Sequence, residues 1–598
     1  MSPRSPTRLA DNPLTAKQVQ QAEELLFSET PREGFARALF RGEFRPELVF
    51  PYPTLAPNEQ AKVDQTVADV DRFLQVSVDP AEIDRQADLP RSVIEGLGKR
   101  GVLGMTAPVE YGGLGFSQQA SCQIMERIGA RCASTAVFVN AHHSIGIRAL
   151  LLFGTPEQKE RWLGPLARGE KLAGFALTEE QAGSDAANVQ TTAVPTGDGS
   201  TFVLNGTKRY ITNGAIADVL TVMARTPDPH GGDSKITAFL VTPDLPGFEV
   251  VEGRMPKCGI RGTATAKLAF HDMPVSAENI LGPRGKGLKV ALTVLDFGRT
   301  TFGASCTGVA KFCLAAATRH AATRKQFGRP LADLELIQKK LAYLAATAYA
   351  MEATTYETAA LIDRGVEDYM LETAILKVFS TEALWQGVYE TLQTFGGQGY
   401  FTDEPYERLM RDARINTIGE GANEVLLAFI ALVGMRDIGQ SLQATLAGLK
   451  QPSKLLPTLW SFASERLSKA IRRPSIPVSR SVLRPAADRL ARRVALFGRT
   501  IEKVLIVHRE SILTRQLLLE RIAWAVIMLT TAACTLARLD SSLDSGTSLP
   551  GDREAAELYL AMAFRKFDDS IRGLSSHDDS LVRSAAAAAL RRFANEAS

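Results

Sequence analysis

The chain has 598 residues, of which 45% are hydrophobic and 23% charged, and its formal net charge is +3. That length exceeds a single core and points to roughly three to four domains, while the near-neutral balance excludes a general attraction to nucleic acid. Six scattered cysteines without a CxxC pair speak against a zinc site or disulfide framework and for a reducing compartment, and no metal is expected.

Residues 1–58 read as an uneven N-terminal arm, with prolines crowding at VFPYPTLAP. The start MSPRSPTRLADNPLT lacks an apolar signal core and no apolar run reaches the length of a bilayer span, so a cytoplasmic protein is expected. Over 59–168, apolar residues three and four apart predict a helical domain. Within it His142 and His143 are adjacent, and neighbours in sequence do not share a helix face, so a structural role is expected for both. From 169 to 285 the pattern changes to short runs rich in Val, Ile, Thr and aromatics between Gly, Pro and Asp turns, which predicts a β-domain. Helical spacing returns over 286–438. A linker, 439–477, contains KLLPTLWSFASERLSKAIRR at 454–473, a basic amphipathic pattern suited to an anionic membrane surface. A further helical domain is expected over 478–598. The fold class is α+β: helices, a β-barrel-like middle domain, a four-helix bundle, and an additional C-terminal helical domain.

Five motifs carry chemistry, each with an ordinary alternative. FALTEEQAGSDAANVQT (175–191) puts Thr178 and Ser184 around the small turn at Gly183; such turns are common. KRYITNG (208–214) places Tyr210 and Thr212 on one face of a strand by period-two alternation, suited to a flat polar ring or to any half-buried strand. RKQFGRP (324–330) offers cations and an aromatic at a helix end, for a pyrophosphate or for solvating that end. QTFGGQGY (393–400) breaks an apolar helix with a double glycine, permitting close phosphate approach or serving as a C-cap. NTIGEGANE (416–424) sets Glu420 between Gly419 and Gly421, either as a turn residue or as an acid held out for chemistry.

Together TEEQAGSDA, YITNG, RKQFGRPL, FGGQGY and RDARINTIGEGANEVL resemble the acyl-CoA dehydrogenase family. ELVFPYP, SIGIRALLLFGTPEQKERWLGPLARGE and the C-terminal VLIVHRESILTRQLLLERIAWAVIMLTTAACTLARL are most similar to its very-long-chain branch, which has an extra helical domain. The resemblance implies α,β-desaturation of an acyl-CoA thioester: a carboxylate removes the α-proton and the β-hydrogen leaves as hydride to FAD. By motif match the base is Glu420. Some relatives carry their base at the position of Gly298, where a glycine cannot serve. Burial would raise the pKa of the base, and the dipole of the following helix would favour its ionised form.

By the same resemblance Phe175, Leu177, Thr178, Gly183, Ser184, Tyr210 and Thr212 hold the flavin ring, Ser184 also meeting the acyl-CoA. Arg324, Gln326, Phe327 and Gln338 match contacts to the FAD pyrophosphate and adenine, and Ala422 and Glu424 match further FAD positions. Gln393, Gly396 and Gly397 match contacts made from a neighbouring subunit, which implies a homodimer. Asp296, Arg299, Gly419 and Gly421 match the substrate region. Tyr210 stands where tryptophan is usual, Ala422 where threonine is common, and Gly419 where most relatives have an aromatic that walls the thioester; its loss makes room for a bulkier acyl group, for another side chain, or for a simple repacking of the site. The helices around 118–150 are expected to floor the acyl pocket, with Phe138 and Asn140 shortening it. Electron-transfer flavoprotein is the expected acceptor, with peripheral contact to the inner membrane through 454–473. The alternatives are an acyl-CoA oxidase and a non-catalytic assembly scaffold on the same fold.

Overall fold

Three helices of the N-terminal half start where short polar side chains satisfy free backbone N–H groups. Asp79 accepts from the amides of Ala81 and Glu82, and Ser117 from that of Ala120. Thr155 and Gln158 form a reciprocal capping box ahead of Pro156. The computed structural model describes residues 33–228, 231–449 and 473–594, with side chains of 444–449 excepted. The expected surface helix at 454–473 therefore lies outside the described residues, save Arg473. The described residues form two compact units, one within 52–423, the other made of 34–51, 424–449 and 473–594.

In the first unit, helices Pro57–Ser77, Arg91–Lys99 and Gln118–Arg131 bury Val63, Val70, Phe73, Ile94, Ile124 and Ile128 in a common core. Ala133–Val139, the π-helix Asn140–Ile147 and Arg148–Phe153 then run on without a break. Eight strands follow: β1 Ala173–Ala176, β2 Thr192–Pro195, β3 Thr201–Ile211, β4 Val219–Thr226, β5 Lys235–Val241, β6 Phe248–Glu252, β7 Ala266–Ser276 and β8 Ile280–Leu281. They form one sheet in the order β6-β7-β3-β2-β4-β5-β8, with β1 added in parallel on β4. Helices Gly287–Thr323, Glu335–Asp363 and Met370–Phe395 pack on one another after the sheet.

The 37-residue helix Gly287–Thr323 organises this unit. Two glycines bring it against Gln118–Arg131 at backbone distance: a Cβ on Gly308 would meet the Glu126 carbonyl at 1.9 Å, and one on Gly129 would meet Ser305 Cα at 2.6 Å. Alanine is excluded at both positions, and the residues one to three turns earlier, 296–301, run on in the same helix beside the π-helix.

The second unit joins Gly34–Pro51 to the C-terminal helices Arg484–His508, Gln516–Ser545, Asp552–Arg572 and Asp579–Phe593. The sequence reading put residues 34–51 in an N-terminal arm; instead Phe35, Leu39 and Phe40 are buried, and Phe40 packs on Phe497 with ring centroids 5.1 Å apart. Arg37 is also buried, donating to the Val433 carbonyl and to Asp437. Helix Asn423–Leu449 runs on past residue 438, where the linker was expected to begin; it carries Gly439 at that point but no proline to end it.

The expectation that no segment is long and apolar enough to span a bilayer fails. Ala133–Phe153, Asn423–Gln443 and Gln516–Ser545 all reach that length and composition, their apolar windows being 72%, 44% and 89% buried inside the protein. A helix apolar on all sides is also what a protein interior requires.

Candidate active site

Glu420 lies in the turn between helix Tyr406–Arg414 and helix Asn423–Leu449, in the left-handed conformation at φ 57°. An L-residue there is uncommon and marks backbone held by its surroundings. Gly421 follows at φ 97°, where glycine is needed; Gly419 shows no such requirement, and a Cβ there would find only the Ile415 carbonyl, 3.7 Å away. Of the two flanking glycines, one serves the backbone and the other leaves space.

Lys377, which sequence reading missed, holds this turn. It projects from the middle of helix Met370–Phe395, and its buried Nζ donates to the Gly421 carbonyl and to Asn423 Oδ1, both at 2.7 Å. Asn423 in turn donates to Thr381 and Glu382. The sequence signal was a lone lysine inside the apolar run ETAILKVF. Burial, against Glu420's charge, brings the Lys377 ammonium down to about 8.

On the other side Arg299 is buried, donates from Nη1 to Asp296 at 2.7 Å, and points Nε at the Glu420 carbonyl at 3.5 Å. Asp296 also accepts from Thr373. Burial raises the Asp296 carboxyl, with Arg299 opposing. Asp296 and Arg299 thus pair with each other beside Glu420, and Asp296 is 3% exposed.

The Glu420 side chain is held through one oxygen. Asn140 Nδ2 donates to Oε1 at 2.6 Å, while Oε2 is buried and has no hydrogen-bond partner. A Cβ on Gly298 would lie 2.9 Å from Oε2, with Ile145 Cγ1 3.2 Å from the same point. Burial pushes the acid up to about 7, against the pull of Arg299, Lys377 and the Asn140 hydrogen bond. Such an acid can take or hold a proton near neutrality. Asn140 was expected to shorten an acyl pocket; here it reaches the acid itself. Phe138 is 1% exposed and stacks on His142. His142 ties the π-helix to the sheet, accepting from the Ala173 amide and reaching the Leu166 carbonyl, and burial holds its imidazole down to about 4.

Of the positions assigned to the flavin ring by resemblance, Phe175, Leu177 and Thr178 lie where the sheet begins. Phe175 is on β1, and Leu177 and Thr178 follow it. The buried Glu179 anchors this loop, accepting from Lys208 Nζ at 2.6 Å, from the Gln190 and Thr191 amides and from the Thr191 hydroxyl. Lys208 also donates to the Leu177 carbonyl, and the Arg209 amide to the Thr178 carbonyl. Burial opposes the Glu179 charge, but Lys208 and the other donors outweigh it, and the carboxyl lies below its usual value. The expected alternation of Tyr210 and Thr212 is not observed. The β3–β7 register shifts between Lys208 and Ile211, Tyr210 has φ 61°, and Thr212 lies beyond the strand; a bulge re-aims Tyr210 into solvent, 58% exposed.

The remaining positions form a second, exposed group. Arg324 caps the helix Gly287–Thr323; Gln326 and Phe327 sit in the two-stranded ribbon that follows it, Phe327 being 90% exposed. Gln338 donates to the Ala332 carbonyl. Gln393 lies in the last turn of Met370–Phe395, which Gly396 ends at φ 63°. Ala422 is half-buried and Glu424 exposed in the first turn of the following helix. FAD requires backbone N–H groups open to phosphate, cations, and a flat platform. Cβ atoms on Gly183, Gly396 or Gly397 would meet nothing within 4 Å, so these glycines leave space their own chain does not fill. Arg324, Gln326 and Phe327, exposed together at one helix end, add a cation and an aromatic, so the residue types present fit that group. Among the described residues no cluster of three or more His, Cys, Asp or Glu is arranged for a metal.

Comparison with known proteins gives four domain matches: acyl-CoA dehydrogenase N-terminal domain over 59–170, middle domain over 174–273, C-terminal domain over 285–434, and ACAD9/ACADV C-terminal domain over 481–594. The human mitochondrial very long-chain specific acyl-CoA dehydrogenase is 36% identical over 525 residues, covering 86% of this chain and 80% of that protein. The crystal structure of a Bacillus anthracis acyl-CoA dehydrogenase complexed with FAD matches with a TM-score of 0.78 and 28% identity over 93% of this chain and 94% of that one. A chain from a structure of the electron transferring flavoprotein of Acidaminococcus fermentans matches with a TM-score of 0.60 and 34% identity, over 64% of this chain and 99% of that one.

Proposed function

Since the chain belongs to the acyl-CoA dehydrogenase family, we propose that it desaturates long- or very-long-chain acyl-CoA in fatty acid β-oxidation, with Glu420 as the base and electron-transfer flavoprotein as acceptor. That it is an FAD-dependent oxidoreductase acting on acyl-CoA is established by the family and by its FAD-bound neighbour. The finer reading is carried by one observation: a carboxylate beside two buried cations, raised to about 7, with one oxygen free of partners. An α-proton is weakly acidic, and a base that is desolvated yet ionised near neutrality is suited to removing it. The free oxygen takes the proton while Asn140 keeps its hold on the other. Arg299 and Lys377 offset the cost of the buried negative charge before transfer. Bound FAD supplies the two-electron acceptor for the β-hydrogen.

Phe175, Leu177, Thr178, Gly183, Ser184, Tyr210 and Thr212 would hold the flavin ring, and Arg324, Gln326, Phe327 and Gln338 the rest of FAD, with Ala422 and Glu424 near it. Gln393, Gly396 and Gly397 would reach the FAD of a second subunit in a homodimer; the exposed Phe327 and the open glycines support that assignment. Chain length is supported by the human relative and by the ACAD9/ACADV C-terminal domain match, and the acceptor by the likeness to the Acidaminococcus structure. A cytoplasmic enzyme resting on the membrane through 454–473 is supported by the basic amphipathic sequence there; unchanged liposome binding after deletion of 450–475 would count against it.

Anaerobic titration of the purified protein with palmitoyl-CoA tests the whole reading. Loss of flavin absorbance, restored by electron-transfer flavoprotein and only slowly by air, is expected. Rapid restoration by air would make the protein an oxidase, and no loss of absorbance would make it a scaffold.

A further inference from the structure

The two oxygens of a carboxylate are equivalent until a protein distinguishes them. Here Oε1 accepts from Asn140 at 2.6 Å and Oε2 has no partner. Asn140 is the first residue of the π-helix, is 4% exposed, and can offer an ionised carboxylate only its NH2 group. Its other end is fixed: Thr301, one turn beyond Gly298, donates its hydroxyl to Asn140 Oδ1 and lies 2.9 Å from Ser144 Oγ. Ser144 is 3.1 Å from His143 Nδ1, and His143 Nε2 accepts from the backbone amide of Thr106 at 3.0 Å. That backbone donor makes Nε2 the acceptor and Nδ1 the protonated nitrogen, so the network has one direction, running from the π-helix to the acid.

We propose that Asn140, oriented by Thr301 and Ser144, is a positioning residue that anchors Glu420 through Oε1 and reserves Oε2 as the oxygen that receives the substrate proton. The inference rests on Glu420 being the base and adds which atom acts and what holds it. In the step the α-carbon–hydrogen bond breaks and an O–H bond forms at Oε2. The electron pair stays on carbon to form the α,β double bond, and the β-hydrogen would leave with its pair, as hydride, to the FAD that the enzyme would hold. Oε1 remains an acceptor before and after, so the Asn140 bond survives the reaction without rearrangement. Because the amide favours the ionised acid, the same contact sets the pH at which the base works. The other groups facing Glu420 are Arg299, paired to Asp296, from helix Gly287–Thr323; Cys306 from that helix; and Lys377, with Glu382 beyond it, from helix Met370–Phe395.

The experiment uses the full-length FAD-loaded protein and compares wild type with Asn140→Ala, Thr301→Val, Thr301→Ser and Glu420→Gln. Two quantities are read against pH: kcat/KM for palmitoyl-CoA, and the infrared carboxyl band of Glu420, assigned by its loss in Glu420→Gln. In Asn140→Ala both midpoints should move up by about one pH unit, the size expected for losing one hydrogen bond to a charged group. Thr301→Val should move them the same way by less, and Thr301→Ser, which keeps the hydroxyl, should match wild type. Midpoints unmoved in Asn140→Ala, whatever the change in kcat, would overturn the proposal, as would equal profiles for Thr301→Val and Thr301→Ser. The threonine pair decides the matter if Asn140→Ala does not fold. Turnover retained by Glu420→Gln would instead overturn the assignment of the base, a separate result.

Discussion

Gly298→Ala probes the free oxygen most directly. The added Cβ would sit 2.9 Å from Glu420 Oε2, with Ile145 Cγ1 and Cδ1 at 3.2 and 3.4 Å. Carbon–oxygen contacts normally begin near 3.3 Å, so the carboxylate must retreat by about 0.4 Å. A misplacement of 1 Å at a reacting group costs roughly 10²-fold, which scales here to about a fivefold loss of kcat. Stability should move little, because alanine inside a helix is favoured over glycine by about 1 kcal/mol, and this offsets the tight Ile145 contact. The assay measures kcat and KM with palmitoyl-CoA and an artificial electron acceptor, together with FAD content and thermal unfolding. A fivefold fall in kcat with full FAD and a Tm within a few degrees of wild type is expected. A kcat within twofold of wild type at full FAD content would refute the placement of the reactive oxygen against Gly298.

Activity should rise with pH through about 7 as Glu420 ionises, because only the carboxylate can accept a proton; Glu420→Gln should abolish this limb and lower kcat by about 10²–10⁴-fold without loss of FAD. Flat kcat/KM from weakly acidic to weakly basic pH would contradict the raised acid. Lys208→Met leaves the buried Glu179 charge without its cation and should destabilise by about 3 kcal/mol with loss of FAD, whereas pairing it with Glu179→Gln should recover much of both. Equal Tm values for the single and double variants would argue against a coupled pair. Gly419→Phe should fold, since its Cβ has room, and should depress turnover of 2-methyl-branched acyl-CoA relative to straight-chain substrate; an unchanged ratio would show that the missing aromatic does not widen the site.

The sequence by itself determined the order of helical, β and helical segments, because periodicities of 3.6 and 2 are written in consecutive residues. It also singled out Glu420, since an acid between glycines before an apolar run is local information, although that pattern by itself left a turn residue and a held-out acid equally open. The tertiary structure decided what surrounds that acid. Asn140, Thr301, Arg299 and Lys377 lie 280, 119, 121 and 43 positions from Glu420 in the chain, on three different helices. No local pattern marks them as a group: a lysine in an apolar helix and an asparagine after valine each look like isolated irregularities. The bulge that turns Tyr210 out of its strand depends on how β3 pairs with β7, and the burial of residues 34–40 on partners such as Phe497. Local propensity follows from neighbours in sequence, whereas the pKa of a buried acid and the choice between its two oxygens follow from charges and donors that only folding brings together.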